Sequence, residues 1–353
     1  TSGPFGTATV TVASGAVLDL NGQTVGNAIN LSGTGISSGG AIINSNATAA
    51  TISGDITLAA HSSVGGSNAV TISGVISGAY NLTKVGSSTY TLSNTNTYTG
   101  DTTISAGTIK LTGNLNSATD LVIASGATLD LQAALTAATL DLDGTISNTA
   151  GTSSLVISGA SSLGGSVTTT STQTYTGATT LTGNSTLTTS SAQVTFSNTI
   201  NSEGSETNDL TVTASELQLD GIVGGSQGVG DITLTGTLDL NAAINDASSL
   251  SVSSTSNLGA NVTTSGTQTY TGAVTLSTDV TLTTTDSNVT FSSTVDGDGT
   301  ARDLTIDTNG TTGTILFDGL VGNSNDLDAI TITGNLDLDA AIANTTSISV
   351  SGT

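Results

Sequence analysis

Cysteine, methionine and tryptophan are missing from this sequence altogether, proline occurs once, and only Lys84, Lys110 and Arg302 stand as cations against 26 acidic groups. Each shortage excludes something. A formal net charge of -23 cannot neutralise a phosphate backbone, which rules out nucleic-acid binding, and anionic membrane surfaces are excluded on the same ground. Aromatics at 3% and charged residues at 8% of 353 build neither the bulky core nor the charged surface of an ordinary globule. The lack of cysteine fits a chain that passes unfolded through a secretion channel. No stretch of eighteen apolar residues occurs, so none spans a bilayer as a helix. Thr1-Ser2-Gly3-Pro4-Phe5 has neither the basic nor the apolar region of a signal peptide, so the chain is expected to come from a longer precursor.

What is present is Thr, Val, Ile and Leu in density, against the composition of a disordered chain. Apolar and polar residues alternate in Ala8-Thr9-Val10-Thr11-Val12, Ala127-Thr128-Leu129-Asp130-Leu131 and Ile232-Thr233-Leu234-Thr235-Gly236. A period of two marks strands with one buried face. Ser37-Ser38-Gly39-Gly40, Gly65-Gly66-Ser67-Asn68 and Gly224-Gly225-Ser226 read as turns between them. The alanine-rich stretch 132–138 comes nearest to a helical pattern without making a convincing one, and the chain reads as all-β.

The strands also repeat. Gln173-Thr174-Tyr175-Thr176-Gly177 returns 95 residues on as Gln268-Thr269-Tyr270-Thr271-Gly272, and Val194-Thr195-Phe196 returns at the same offset as Val289-Thr290-Phe291. Ile232-Thr233-Leu234-Thr235-Gly236 returns as Ile330-Thr331-Ile332-Thr333-Gly334, 98 residues on, so the extra residues fall in a loop between strands. Strand-turn segments of roughly 18 to 25 residues suit coils of a right-handed parallel β-helix, an elongated rod of roughly 15 to 18 coils. Its narrow core is expected to consist of Val, Ile, Leu and Ala ladders with no need of large aromatics, and Pro4 is expected to lie outside the hydrogen-bonded ladder. Immunoglobulin-like sandwiches are disfavoured by the missing Trp, Cys pair and linker breaks. The organisation is read as one continuous solenoid over 1–353: N-terminal coils over 1–97, a short first copy of the long repeat over 98–174, a second over 175–269 and a truncated third over 270–353.

Residues 81–111, running Asn81-Leu82-Thr83-Lys84-Val85-Gly86 through Asn96-Thr97-Tyr98-Thr99-Gly100 to Ala106-Gly107-Thr108-Ile109-Lys110-Leu111, closely resemble the autotransporter-associated β-strand repeat. From about Val167 onward the chain resembles the Thr-rich repeats of large haemagglutinin-like exoproteins. The resemblance implies a β-helical passenger region, export to the bacterial cell surface, and a scaffold or adhesive role without catalysis. The membrane barrel of an autotransporter, with its amphipathic strands and aromatic girdles, has no counterpart in this sequence.

A lyase acting on anionic sugar wants basic residues, and three scattered cations are too few. A hydrolase needs two neighbouring carboxylates, for which Asp141 with Asp143 and Asp337 with Asp339 are candidates, since i and i+2 share a strand face. Leu-Asp-Leu, however, also recurs at Asp19, Asp130 and Asp239, which favours solubilising carboxylates turned outward. His61, the single histidine, reads as a turn-flanking surface residue, and Lys84 and Lys110 as outward residues beside acidic neighbours. Asp296-Gly297-Asp298-Gly299-Thr300 with Asp303 resembles half a calcium loop, although it lacks the terminal Glu. Calcium is expected to be useful if acids stack about 4.8 Å apart on adjacent coils. No other cofactor is implied.

The expected function is a non-enzymatic structural or adhesive surface protein. Its partners would be host or bacterial surfaces, glycans, or further copies joined through open solenoid ends. The alternative is a carbohydrate-active β-helix. Ice binding through Thr-x-Thr arrays, suggested by Thr281-Leu282-Thr283, is disfavoured because the repeat spacing drifts.

Overall fold

A computed structural model of the chain describes residues 5–352; Pro4 lies outside them. The described residues form strands and tight turns, interrupted by a single 3-10 turn at Ile36–Ser38. All registered strand pairs are parallel, and the chain is a parallel β-solenoid of about 17 turns. The alanine-rich stretch is strand as well, Ala134–Ala137, paired with Ser154–Ile157. Two compact units are distinguished, Thr1–Ser171 and Thr172–Thr353.

In the first unit one column of strands stacks Thr24–Val25, Ala50–Ile52, Val70–Ile72, Thr89–Leu92, Thr108–Leu111 and Thr128–Leu131 in register. Alternation sends every second residue inward, so Val25, Ile52, Ile72, Leu92, Leu111 and Leu131 form one continuous aliphatic ladder, each essentially buried. Burying each side chain contributes about 1.5–3 kcal/mol. The outward partners in the same column are Thr24, Thr51, Thr71, Thr91, Lys110 and Asp130. Glycines hold the corners. Gly107, at φ +69, leaves no room for a side chain, because a Cβ there would stand 2.5 Å from the Gly86 carbonyl oxygen.

The second unit has the same construction, with a column through Ser185–Thr189, Leu210–Leu219, Val229–Leu240, Ile244–Val252, Gln268–Tyr270, Val289–Phe291 and Thr314–Phe317. The long repeat does not close a whole number of turns. Ile200 stacks with Val223 and Ile244, whereas their counterparts Val295, Val321 and Ile342 continue a different column, the one holding Leu238, Ser256 and Val274. Equivalent strands of successive copies therefore occupy different faces.

The core departs from the sequence expectation in its aromatics. Few as they are, all but Phe5 and Tyr80 are buried. Tyr270, Phe291 and Phe317 stack on three successive turns, with ring centroids 5.2 and 5.1 Å apart, and Tyr175 stacks on Phe196 at 4.8 Å. Parallel register forces like side chains above one another, which turns one aromatic per turn into a stack. The hydroxyl of Tyr270 donates to Gln268 Oε1 at 3.2 Å, and Gln268 Nε2 donates to the Thr283 carbonyl at 2.9 Å, so the polar tips are satisfied inside the core.

Candidate functional site

The segment 82–111 buries Lys84, Ser88, Tyr90, Asn96, Tyr98 and Thr102. Lys84 is the largest surprise, because it points inward. Leu82 and Lys84 share the buried face of Leu82–Lys84, stacked between Ser62–Val64 below and Thr102–Ile104 above. Fully enclosed, its ammonium donates to the carbonyls of Val85 and Gly86, both at 2.8 Å, and to that of Ala106 on the next turn at 3.1 Å. It also lies 5.6 Å from the centre of the Tyr90 ring. Burial pushes its pKa down to about 8. The expectation of an outward Lys84 is thus corrected: the side chain ties a turn to its successor. A Cβ on Gly107 would come within 2.8 Å of Lys84 Nζ, so the lysine and that glycine form one unit. Lys110 does face outward, in register between Thr91 and Asp130.

The remaining polar residues of the segment are used in the same way. Tyr90 donates to the carbonyls of Ile42 at 2.8 Å and Gly65 at 2.9 Å. Asn96 accepts from the Ile76 amide and donates to the carbonyls of Asn94 and Asn114, which bridges three turns. Tyr98 and Thr102 share a hydrogen bond of 2.7 Å, and Thr102 is bonded in turn to Thr119 at 3.1 Å. Burial raises the pKa of both tyrosines.

Asp296, Asp298 and Asp303 of the expected calcium loop each have a different set of partners, and Thr300 is itself a donor to Asp298. Asp296, nearly buried, accepts through Oδ1 from the amides of Ser324 at 2.9 Å and Asn325 at 3.4 Å. Asp298 forms an ion pair of 2.9 Å with Arg302 and accepts from the Thr300 amide at 3.1 Å. Its hydrogen bond from Arg302 holds its carboxyl below the usual carboxylate range. Asp303 accepts from the Ala329 amide at 2.9 Å, and its own amide donates to Asp279 Oδ1 at 3.1 Å. Among the described residues no group of three or more His, Cys, Asp or Glu side chains is arranged to hold a metal ion.

Within the registered strands the acids oppose neutral residues or Lys110, whereas at strand starts acids of adjacent turns do adjoin: the Asp303 amide donates to Asp279 Oδ1 and the Asp231 amide to Asp209 Oδ1. Asp120 opposes Thr139, Asp231 opposes Ser249, Asp307 lies between Thr283 and Thr333, and Asp239 between Gln218 and Asn257. Amide side chains stand where cations would be needed. Gln193 Nε2 donates to Glu216 at 2.5 Å, Gln218 Nε2 to Asp220 at 3.0 Å, Asn241 Nδ2 to both Asp220 and Asp239, and Asn257 Nδ2 to Asp239 at 2.8 Å. Asp130, expected to face outward in water, is almost buried and accepts from Gln132, the Thr149 hydroxyl and the Thr149 amide.

The candidate hydrolase pairs Asp141 with Asp143 and Asp337 with Asp339 are exposed. His61 is exposed as expected, but it lies within the strand Ile56–Val64 and not beside a turn. There Nδ1 accepts from the Asn81 amide and the ring meets Tyr80 edge-on.

Residues 82–111 match the family described as passenger-associated-transport-repeat. Comparison with curated proteins and with solved structures finds no match. The repeat within a parallel β-solenoid is consistent with a passenger-type β-helix of an autotransporter. Among the described residues no helix is long and apolar enough to cross a membrane.

Proposed function

We propose that this passenger-type solenoid works as a non-enzymatic scaffold, displayed on or released from a bacterial surface, whose outer faces adhere to other surfaces. The observation that carries this reading is how the matched repeat uses its polar residues. Lys84, Tyr90, Asn96, Tyr98 and Thr102 all lie inside the fold, and each is bonded to backbone or side-chain groups that join turns. A motif spent on holding turns together supports a role in building length and rigidity. The outward positions, mainly Thr, Ser and Asn, are the part left to meet a partner. Scattered acids keep such a surface soluble through mutual repulsion without disrupting any ladder.

The test is adhesion by the whole purified chain. Beads coated with it should bind to bacterial or host cells several-fold above beads coated with a soluble acidic protein of equal charge density. Equal binding by the two would overturn the adhesive reading. Release of reducing sugar from neutral or acidic polysaccharides, lost in Asp141→Asn or Asp337→Asn, would replace it with the hydrolytic alternative.

A further inference from the structure

An open groove of about 470 Å³ crosses four turns of the second unit, rimmed by Ser191, Thr213, Ser215, Thr235 and Ser253, with Ala214 and Gly236 between them. Thr213 and Thr235 are in register on adjacent strands, and beside them the outward column Thr186, Thr211, Thr233 and Ser251 continues the hydroxyl surface. The three spacings of about 4.8 Å between its four turns give the groove a length of about 14 Å along the stacking direction. Its lining contains no carboxylate, cation or aromatic ring.

The third copy of the repeat supplies an internal comparison, because there the same place is filled. Leu210 corresponds to Leu304 and Leu217 to Ile315, so the connection following Thr213 is four residues longer after Asp307. Asp286, the counterpart of Ser191, accepts from the amides of Thr312 at 2.7 Å and Gly313 at 3.0 Å and so anchors the longer loop. The buried Thr308 packs against Gly334, the counterpart of Gly236, where a Cβ would meet its Oγ1 at 2.5 Å. In the second copy Ala214-Ser215 replaces that loop and leaves the groove open.

The chemistry of the lining selects the occupant. An anion is repelled by a chain of charge -23 and finds no basic partner in the groove. A cation finds no carboxylate, and an apolar segment finds only the carbons of Thr, Ser, Ala and Gly interleaved with hydroxyls, with no Leu, Ile, Val or Phe side chain to lie against. Hydroxyls and backbone groups that recur once per turn suit a neutral polyhydroxylic chain laid along the groove. We propose that this groove binds a short run of residues of an extended, neutral polysaccharide. The proposal rests on the adhesive reading and supplies its partner class. With no ring to stack against, the affinity of a single groove is expected to be weak.

Saturation-transfer NMR on the full chain tests this with cellohexaose and maltohexaose as neutral probes and oligogalacturonate as the anionic control. At least one neutral probe should show transfer, with at least tenfold less to the anionic one. Two variants close the groove by different means. One replaces Ala214-Ser215 with the Thr-Asn-Gly-Thr-Thr-Gly of 308–313 and adds Ser191→Asp, and the other is the exposed Thr235→Glu. Circular dichroism checks that each retains the fold, and each folded variant should lose transfer at least tenfold. Absence of transfer to both neutral probes in the parent chain, or undiminished transfer in a folded variant, overturns the proposal. Bead adhesion is scored in parallel: adhesion that persists without glycan transfer rejects the groove alone, whereas loss of adhesion by the parent chain rejects the broader reading.

Discussion

Asp296 and Asn201 stand 95 residues apart and make the same bonds: each turns its Oδ1 toward two successive backbone amides of the next turn, Ser324 and Asn325 in one case, Ser226 and Gln227 in the other. One carries a charge and the other does not. The shared task therefore requires an acceptor oxygen and not a carboxylate. Asp296→Asn is expected to change stability by less than about 0.5 kcal/mol. Asp296→Ala orphans two amides and is expected to cost about 1–3 kcal/mol. Urea denaturation of both variants, with calcium and with chelator, checks this, and neither curve should move with the metal.

Lys84 sets a pH dependence. Its folded pKa of about 8 lies below the usual lysine value of 10.5, so between those limits the unfolded chain binds a proton that the folded chain has released. Stability should then rise as pH climbs from 8 toward 10, by about 1–2 kcal/mol once the three carbonyl bonds to the ammonium are allowed for. Lys84→Met should flatten that rise. It should also weaken the fold near pH 7, because the carbonyls of Val85, Gly86 and Ala106 lose their donor. Denaturation midpoints across the pH series give both results.

The aromatic stack predicts a graded response. Phe317 corresponds to Leu219 in the preceding copy, where leucine packs above Phe196 in the same register. Phe317→Leu should accordingly cost less than about 1.5 kcal/mol, whereas Phe291→Ala, in the middle of the stack, should cost about 3–5 kcal/mol. Chemical denaturation distinguishes the two.

Two glycines of similar φ separate conformational strain from collision. Gly126, at φ +77, has open space where a Cβ would go; Gly107, at φ +69, has the Gly86 and Ser88 carbonyls and Lys84 Nζ within 2.8 Å. Gly126→Ala is expected to cost about 1 kcal/mol, the left-handed penalty alone. Gly107→Ala should cost at least twice as much and should also reduce the pH dependence assigned to Lys84.

Much of this architecture was legible in the order of residues. Alternation located the strands and their buried faces, and the offsets of 95 and 98 located the long repeat. The same alternation already placed Lys84 on the face of Leu82; the general reluctance to bury a charge obscured that signal, since the compensating carbonyls come from loops and from another turn. The positions of the acids were less accessible. Whether Asp239 meets another carboxylate or Gln218 and Asn257 depends on inter-turn register, and turns of unequal length hide that register from any fixed spacing. The groove was hidden for a related reason: it exists because one loop is four residues shorter than its counterpart, and only the folded chain reveals what the longer loop covers.

The central claim is that the conspicuous polar residues of this chain join turns together. Hydrogen exchange, read at the amides of Ser324 and Asn325 in the parent chain and in Asp296→Ala, tests it most directly. The account predicts faster exchange at those two amides in the variant, and exchange in the parent chain that is the same with millimolar calcium as with chelator. Unchanged protection in the variant, together with calcium-dependent protection in the parent, would contradict it.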